Sequence, residues 1–502
     1  MSSENKQISS LSAMALGATA MVGSGWLFSA QLNARLAGNY AFISWVVAAF
    51  IVTLIAICLS RVIAVYPVRG ATSMCSTLSH NHVFGMPFAF ANWFAVMISI
   101  ANEAQATTEY LSSAIKNSML VENGSMTLSG KLFALCILFV YLAINFYGVK
   151  LLAKVNNIVT VFKVFIPLFT IIVFLIAKFD TSNFTLATNS IYNGHSVIGA
   201  IIGAGLIYSF NGFQIPASFA SEIKNAGKGV LLSMVGGIFI ILCVYLLLQL
   251  AFMGAVPHDL VVSKGGWAGM NLQSPLMNLA VLLGLNFIMM LLVADSIVSP
   301  SGTGYSYLGA SSRMFYSMAV SGQMPKWTIG HIHKEYNICR RSMLINLGLT
   351  CLVLFNSDSW ASLMVIITGF IVIGYMAAPV SMGAINPKTR IFGTIVFIII
   401  SEVMYSIPKE DLMKVNLAVM ILIASYGLTL IKERKIPFIT ALSFLSPFVI
   451  YLWALYFCDG YTLVAIISAM FYIVITLPKY VALCKKYNFV SKDDIAAMEV
   501  KH

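Results

Sequence analysis

Apolar runs of about 17 to 25 residues follow one another along this chain, separated only by short polar breaks. Each is long enough to cross a hydrocarbon layer about 30 Å thick. Inside a bilayer every backbone N–H and C=O must find its partner within the protein, so runs of this kind become helices. The composition agrees. Of 502 residues, 59% are hydrophobic and 10% are charged, where a soluble domain would carry about a quarter charged residues. The chain reads as an all-α polytopic membrane protein. No cleavable leader is expected, because no small-residue cleavage site follows a short apolar core.

Candidate spans lie at 11–36, 42–65, 86–113, 131–149, 155–177, 195–220, 231–255, 275–318, 342–356, 361–384, 391–407, 413–431, 436–457 and 460–478. Glu402 falls inside the run at 391–407, so about fourteen spans are expected and twelve is the alternative. An even number returns the chain to its starting side. With the N-terminus in the cytoplasm, Arg61, Arg69, Lys150, Lys154, Lys224, Lys228, Lys326, Lys334, Arg340, Arg341, Lys388, Arg390, Lys432, Arg434 and Lys435 lie on that side. Lys479, Lys485, Lys486, Lys492 and Lys501 of the tail join them. The outer loops keep only Arg35, Lys116, Lys131, Lys178, Lys264, Lys409 and Lys414. That asymmetry puts both termini in the cytoplasm of a cell membrane, inner or plasma. It also accounts for the net charge of +12 without nucleic acid as a partner. The eight cysteines show no C-x-x-C or metal-ligand spacing. His80 with His82, and His331 with His333, sit in cytoplasmic connections and read as solvated pairs, not metal ligands. No cofactor is expected.

Two interruptions organise the chain. Gly23-Ser24-Gly25 falls in the middle of span 1, and Ser209-Phe210-Asn211-Gly212 lies 187 residues later in span 6. Glycines let a membrane helix open and leave backbone groups free to bind a solute. Span 3 carries Glu103 and span 8 carries Asp295, an offset of 192 residues. Five spans separate the members of each pair, and an odd number turns the second copy upside down. The expected architecture is an inverted five-plus-five helix repeat over 11–390, with broken helices 1 and 6. A short N-terminus (1–10) precedes it; extra helices (391–478) and a polar cytoplasmic tail (479–502) follow.

Opening span 1 would bare amides near Gly25 and Trp26, at the positive end of a half-helix that suits a carboxylate. Carbonyls from Met21 to Gly23, and from Tyr208 to Phe210, would suit an ammonium or another cation. A solute bearing both groups is an α-amino acid. The alternative is that Gly-Ser-Gly serves as a close helix-packing site. Lys163 lies near the middle of span 5, where a lysine costs about 3 kcal/mol to insert. It needs a partner or a wet cavity, and it is a candidate proton carrier. Glu103, Glu109 and Asp295 are intramembrane acids. Each can pair with Lys163, line a cavity or simply bond a neighbouring helix. Glu103 and Glu109 are six residues apart and point to different sides. Pro300-Ser301-Gly302 after Asp295 reads as prone to break its helix. Asn211 and Gln214 are polar groups for substrate or for helix contacts. Trp26, Tyr208, Phe210 and Phe213 read as a gate or as packing.

Gly23-Ser24-Gly25-Trp26 resembles the unwound glycine motif of amino-acid permeases of the amino acid–polyamine–organocation superfamily. Pro67-Val68-Arg69-Gly70-Ala71 resembles that family's segment between spans 2 and 3, and Tyr208 to Gln214 its broken span 6. Glu222-Ile223-Lys224-Asn225-Ala226-Gly227-Lys228 resembles the segment that follows. Gly23 to Phe28 and Asp295 to Gly304 look most similar to the aspartate–proton symporter branch. The resemblance implies that backbone around Val22, Gly23, Ser24 and Gly25, and from Tyr208 through Ser209 and Phe210, binds the amino-acid backbone. Asn211, Gly212, Gln214 and Glu103 are implied as further substrate contacts, with Tyr208 as an aromatic gate. Lys163, Asp295 and Ser296 are implied in proton coupling. This chain has Gln214 where many members have glutamate, and Ala226 where proline is usual. An acidic substrate side chain would also ask for a cation, and apart from Lys163 spans 1, 3, 6, 8 and 10 offer none at mid-membrane.

The expected activity is secondary active transport of amino acids by proton symport with alternating access. Amino-acid exchange is the alternative within the class, and a non-transporting amino-acid sensor is more remote. An enzyme is not expected, since no catalytic cluster is visible.

Overall fold

The structure is a computed structural model that describes residues 9–487, apart from 68–70, 116–117, 147–148, 186–191, 219, 221–222, 224–225, 321, 325–338 and 435. Arg69, Gly70, Glu222, Lys224, Asn225, His331, His333, and Lys492 and Lys501 of the tail therefore lie outside the described residues, as do Lys116, Lys326, Lys334 and Lys435. What is described is almost entirely helical. Among the described residues, nine helical segments have the length and hydropathy to cross a membrane, ten if the bent pair Tyr461–Thr476 and Pro478–Lys486 is one span.

Span 1 is two helices, α1 (Ser10–Met21) and α2 (Gly25–Ala37). The Ser9 hydroxyl caps α1 by accepting the Ser12 amide, and Val22 leaves helical geometry at ψ 90°. Helices α3 (Ala41–Val65), α4 (Ala71–Ser79) and α5 (His82–Ala114) follow. Asn81 starts α5 by accepting the Phe84 amide at 2.8 Å. Next come α6 (Leu128–Phe146) and α7 (Val149–Ala177). Span 6 is broken into α8 (Gly194–Gly203), α9 (Leu206–Ser209) and α10 (Ile215–Ser218). Gly205 (φ +67°) and Gly212 (φ +119°) stand at its two bends, where a Cβ would be strained.

Helix α11 (Ala226–Ala255) returns the chain. The segment expected as one span over 275–318 is instead α13 (Pro275–Leu282), after the short α12 (His258–Ser263), followed by α14 (Asn286–Val320). Gly284 at φ +69° turns the chain between α13 and α14. The break expected at Pro300 is absent: α14 runs through it, because a membrane helix tolerates the lost bond. Then come α15 (Arg340–Phe355), α16 (Trp360–Ile385), α17 (Arg390–Tyr405), α18 (Lys409–Arg434), α19 (Phe438–Phe457), α20 (Tyr461–Thr476) and α21 (Pro478–Lys486). The polar tail is thus helical at its start, with Val481 and Cys484 buried against the body.

Helices α5 and α16 form the centre, each 89% buried over its apolar window, against 33% for α18 and 39% for α19. The α4–α5 corner overturns one expectation. His80 and His82 are fully buried, not solvated. His80 bonds the Ser79 hydroxyl through Nδ1 (2.8 Å) and the Ile475 carbonyl through Nε2 (2.9 Å). Asn81 donates to the Cys484 carbonyl at 2.9 Å. Helices α20 and α21, bent 54° from one another, supply both acceptors.

Candidate functional site

The two interruptions meet. A Cβ on Gly25 would stand 2.5 Å from Ser209 Oγ, and one on Gly212 would stand 2.8 Å from the Ala20 carbonyl carbon. Ser29 and Ser209 share a hydroxyl–hydroxyl bond of 3.0 Å. Gly25 and Gly212 are therefore close-packing residues as well as break residues, which joins the two readings that the sequence left open. Gly23 faces elsewhere: its Cβ would lie 3.1 Å from Glu103 Oε1 and 3.2 Å from Thr303 Oγ1.

Glu103 on α5 occupies the opening of span 1. Its Oε2 accepts the Ser24 amide at 3.0 Å, and its Oε1 accepts the Tyr208 hydroxyl at 2.6 Å. The amide that caps the outer half-helix is thus held by a carboxylate from the protein itself. Carbonyls expected to be free are engaged. Tyr245 Oη on α11 lies 3.0 Å from the Met21 carbonyl and 2.9 Å from that of Ser209, bridging both breaks. The Tyr208 and Phe210 carbonyls accept the amides of Asn211 (2.9 Å) and Phe213 (3.2 Å).

Lys163 donates to Thr303 Oγ1 at 2.7 Å. Glu103 and Asp295 act on it electrostatically. Thr303 thus stands between the lysine and Gly23. Asp295 accepts the Ser299 hydroxyl at 2.6 Å through Oδ1; among the described residues its buried Oδ2 has no partner within 3.5 Å, and the Trp26 indole is the donor that acts on this carboxylate. Ser296 does not join Lys163. Its hydroxyl donates to Val293 of its own helix (2.8 Å), and its carbonyl accepts Thr107 of α5 (2.8 Å).

Trp360, at the start of α16, closes the other side. Its Nε1 donates to Ser24 Oγ at 2.8 Å, and its backbone amide donates to Glu109 Oε1 at 2.7 Å. With its amide oriented to the surrounding groups, Asn102 donates to the Trp360 carbonyl at 3.0 Å, and its oxygen, 3.0 Å from Trp360 Nε1, shares that single indole proton with Ser24. The indole stacks on Phe28 at 4.5 Å and meets Tyr208 edge-on at 6.0 Å. Glu103 and Glu109 diverge around α5, yet Trp360 and Ser24 tie them into one chain of contacts. Beneath the span 6 bend, Gln214 donates to Asn211 Oδ1 (2.8 Å), and the Gly212 amide donates to Gln214 Oε1 (3.1 Å).

Sequence reasoning passed over Asn102, Tyr245, Thr303, Tyr307, Trp360 and Tyr375. A polar or aromatic residue on an apolar helix carries no sign of which side faces a break. Thr303 had one signal, its place one helical turn after Ser299.

The pattern of the family described as Amino acid permease matches residues 8–488. Over 389 residues the chain is 37% identical to the glutamate/serine transporter AimA of Bacillus subtilis (strain 168), covering 76% of this chain and 71% of that protein. It is 26% identical over 387 residues to the aspartate-proton symporter of the same organism, covering 77% and 74% of the two chains. With the serine/threonine exchanger SteT of that organism it shares 27% identity over 218 residues, covering 43% and 47%.

Proposed function

The chain belongs to the amino acid permease family, and from that premise we propose that it is a proton-coupled amino-acid symporter of the cell membrane, with both termini in the cytoplasm. It is an integral membrane transporter of amino acids and not an enzyme. Alternating access would come from rocking α1, α2 and α8–α10 against α5, α14 and α16.

The observation that carries the coupling is the Glu103 carboxylate on the Ser24 amide. A substrate carboxylate seeking that amide must displace Glu103, and two carboxylates cannot share it without strong repulsion. A proton on Glu103 removes the competing charge and frees the amide. Substrate and proton then favour each other, which is the linkage that symport requires. Lys163, held by Thr303 and acted on by Glu103 and Asp295, is the second member of the relay. Its charge state biases which acid holds the proton.

The test is uptake into proteoliposomes with a trapped pH dye. Amino acid added outside should acidify the lumen. Lys163→Ala and Glu103→Gln should each uncouple uptake from an imposed pH gradient. Uptake that ignores the gradient but needs internal amino acid overturns symport and supports exchange.

A further inference from the structure

Four polar side chains below the span 6 bend form a cluster that the backbone-binding and proton-handling residues do not use. Asn211 is its hub. Its Oδ1 accepts Gln214 Nε2 at 2.8 Å and the Tyr375 hydroxyl of α16 at 3.3 Å, and its Nδ2 donates to Tyr307 Oη of α14 at 3.2 Å. Gln214 is fixed in turn by the Gly212 amide. Asn211 and Tyr375 are buried, whereas Tyr307 and Gln214 keep part of their surface open. Facing lipid would leave these half-open groups unpaired, so water or a polar solute is the neighbour they call for.

Among the described residues, the hydrogen-bond count leaves three donors over: the second N–H of buried Asn211, the second N–H of Gln214 and the Tyr307 hydroxyl, of which the last two lie on half-open side chains. Asn211 spends both lone pairs of Oδ1 on Gln214 and Tyr375, and it points an N–H at Tyr307. Tyr307 Oη therefore acts as acceptor there, and among the described residues its own proton has no acceptor. Asn211 is the residue directly after Phe210 and its amide bonds the Tyr208 carbonyl at 2.9 Å, so its bond to Tyr307 places that hydroxyl against the span 6 break, within reach of the Glu103 charge. Among the described residues, no charged side chain belongs to the cluster. The nearest cation of the site, Lys163, is committed to Thr303.

We infer that Tyr307, held by Asn211 and Tyr375, is the specificity-determining donor for the substrate side chain, and that the pocket takes short neutral side chains carrying an oxygen acceptor, a hydroxyl or a carboxamide. This rests on the transport reading above. A cationic side chain would bring its own donors against the open O–H of Tyr307 and N–H of Gln214, with no acid in the cluster to balance its charge. A carboxylate side chain would be buried with no free cation to neutralise it, since Lys163 is committed to Thr303. An aliphatic side chain would leave the Tyr307 proton unpaired, and that penalty is what discriminates.

The test is competition for uptake in proteoliposomes among serine, alanine, asparagine, glutamate and lysine. Serine and asparagine should compete best. Tyr307→Phe should lower the serine-to-alanine uptake ratio by about five-fold, the worth of one neutral hydrogen bond. Tyr375→Phe loosens Asn211 without removing the donor, and should lower the ratio by a smaller factor. This second variant covers the case in which Tyr307→Phe does not assemble. A serine-to-alanine ratio unchanged in both variants, or wild-type protein that prefers lysine or glutamate, overturns the inference while leaving transport intact. Failure to take up any amino acid defeats the transport reading and this inference with it.

Discussion

Gly25 and Gly212 hold the two breaks against each other at single-atom range. At Gly25 a methyl group would press on Ser209 Oγ, and at Gly212 it would press on the Ala20 backbone from a φ of +119°. The first clash is with a side chain that can turn aside; the second is with backbone that cannot. Gly25→Ala should therefore cost about 1–3 kcal/mol of stability and most of the uptake rate. Gly212→Ala should cost more, because strain at a positive φ adds to the overlap. Thermal unfolding in detergent alongside uptake checks both, and equal melting temperatures for wild type and Gly212→Ala would count against this packing. Gly23 is different in kind. Its missing Cβ leaves the gap between Glu103 and Thr303, so it serves the polar network and not the packing.

At the scale of elements, the α4–α5 corner shows how a connection becomes structural. Two backbone carbonyls from the bent pair α20–α21 accept His80 and Asn81. Phe84 stacks on the imidazole at 4.3 Å. Burial pushes the His80 pKa down from 6.5 to about 4; the bond to Ile475 opposes this, and the charge of Lys485 adds to it. The folded corner thus holds a neutral imidazole, while the opened corner protonates near the ordinary value. Between about 6.5 and about 4 the opened state binds more protons, so stability from this corner falls as pH falls through that window and is fully present above it. Melting temperature should drop from pH 7 to pH 5 in wild type and drop less in His80→Gln. Parallel pH curves would remove His80 as the cause. Helix α16 shows the reverse arrangement, where an element's start is the working part. Its first amide is held by Glu109, and its first side chain reaches Ser24.

Over the whole molecule, one side of the site is shut and the other is not. Ser24, Phe28, Glu103, Glu109 and Trp360 are buried together, while Gln214 and Tyr307 retain open surface. With the proposed orientation, this predicts access to the site from the cytoplasm and none from outside. After replacing the exposed Cys136 and Cys243, Gln214→Cys should react with an impermeant thiol reagent in inside-out vesicles. Ser24→Cys should not react in either vesicle orientation until Trp360→Ala opens the outer layer. Labelling of Gln214→Cys only in right-side-out vesicles would reverse the assignment. Much of this molecule was legible in its sequence. Length, hydropathy and the scarcity of charge determine a bundle of membrane helices, since lipid forbids unpaired backbone. The glycine clusters at 23–25 and 209–212 mark breaks because few other residues let a helix open there. Which groups face those breaks was decided only by tertiary structure. Glu103 rather than solvent on Ser24, Thr303 rather than Ser296 on Lys163, Tyr245 across both carbonyls and His80 buried rather than wet all depend on how helices far apart in sequence rotate and cross. Those rotations follow from packing small residues such as Gly25 and Gly212 into contact, and no local pattern records them.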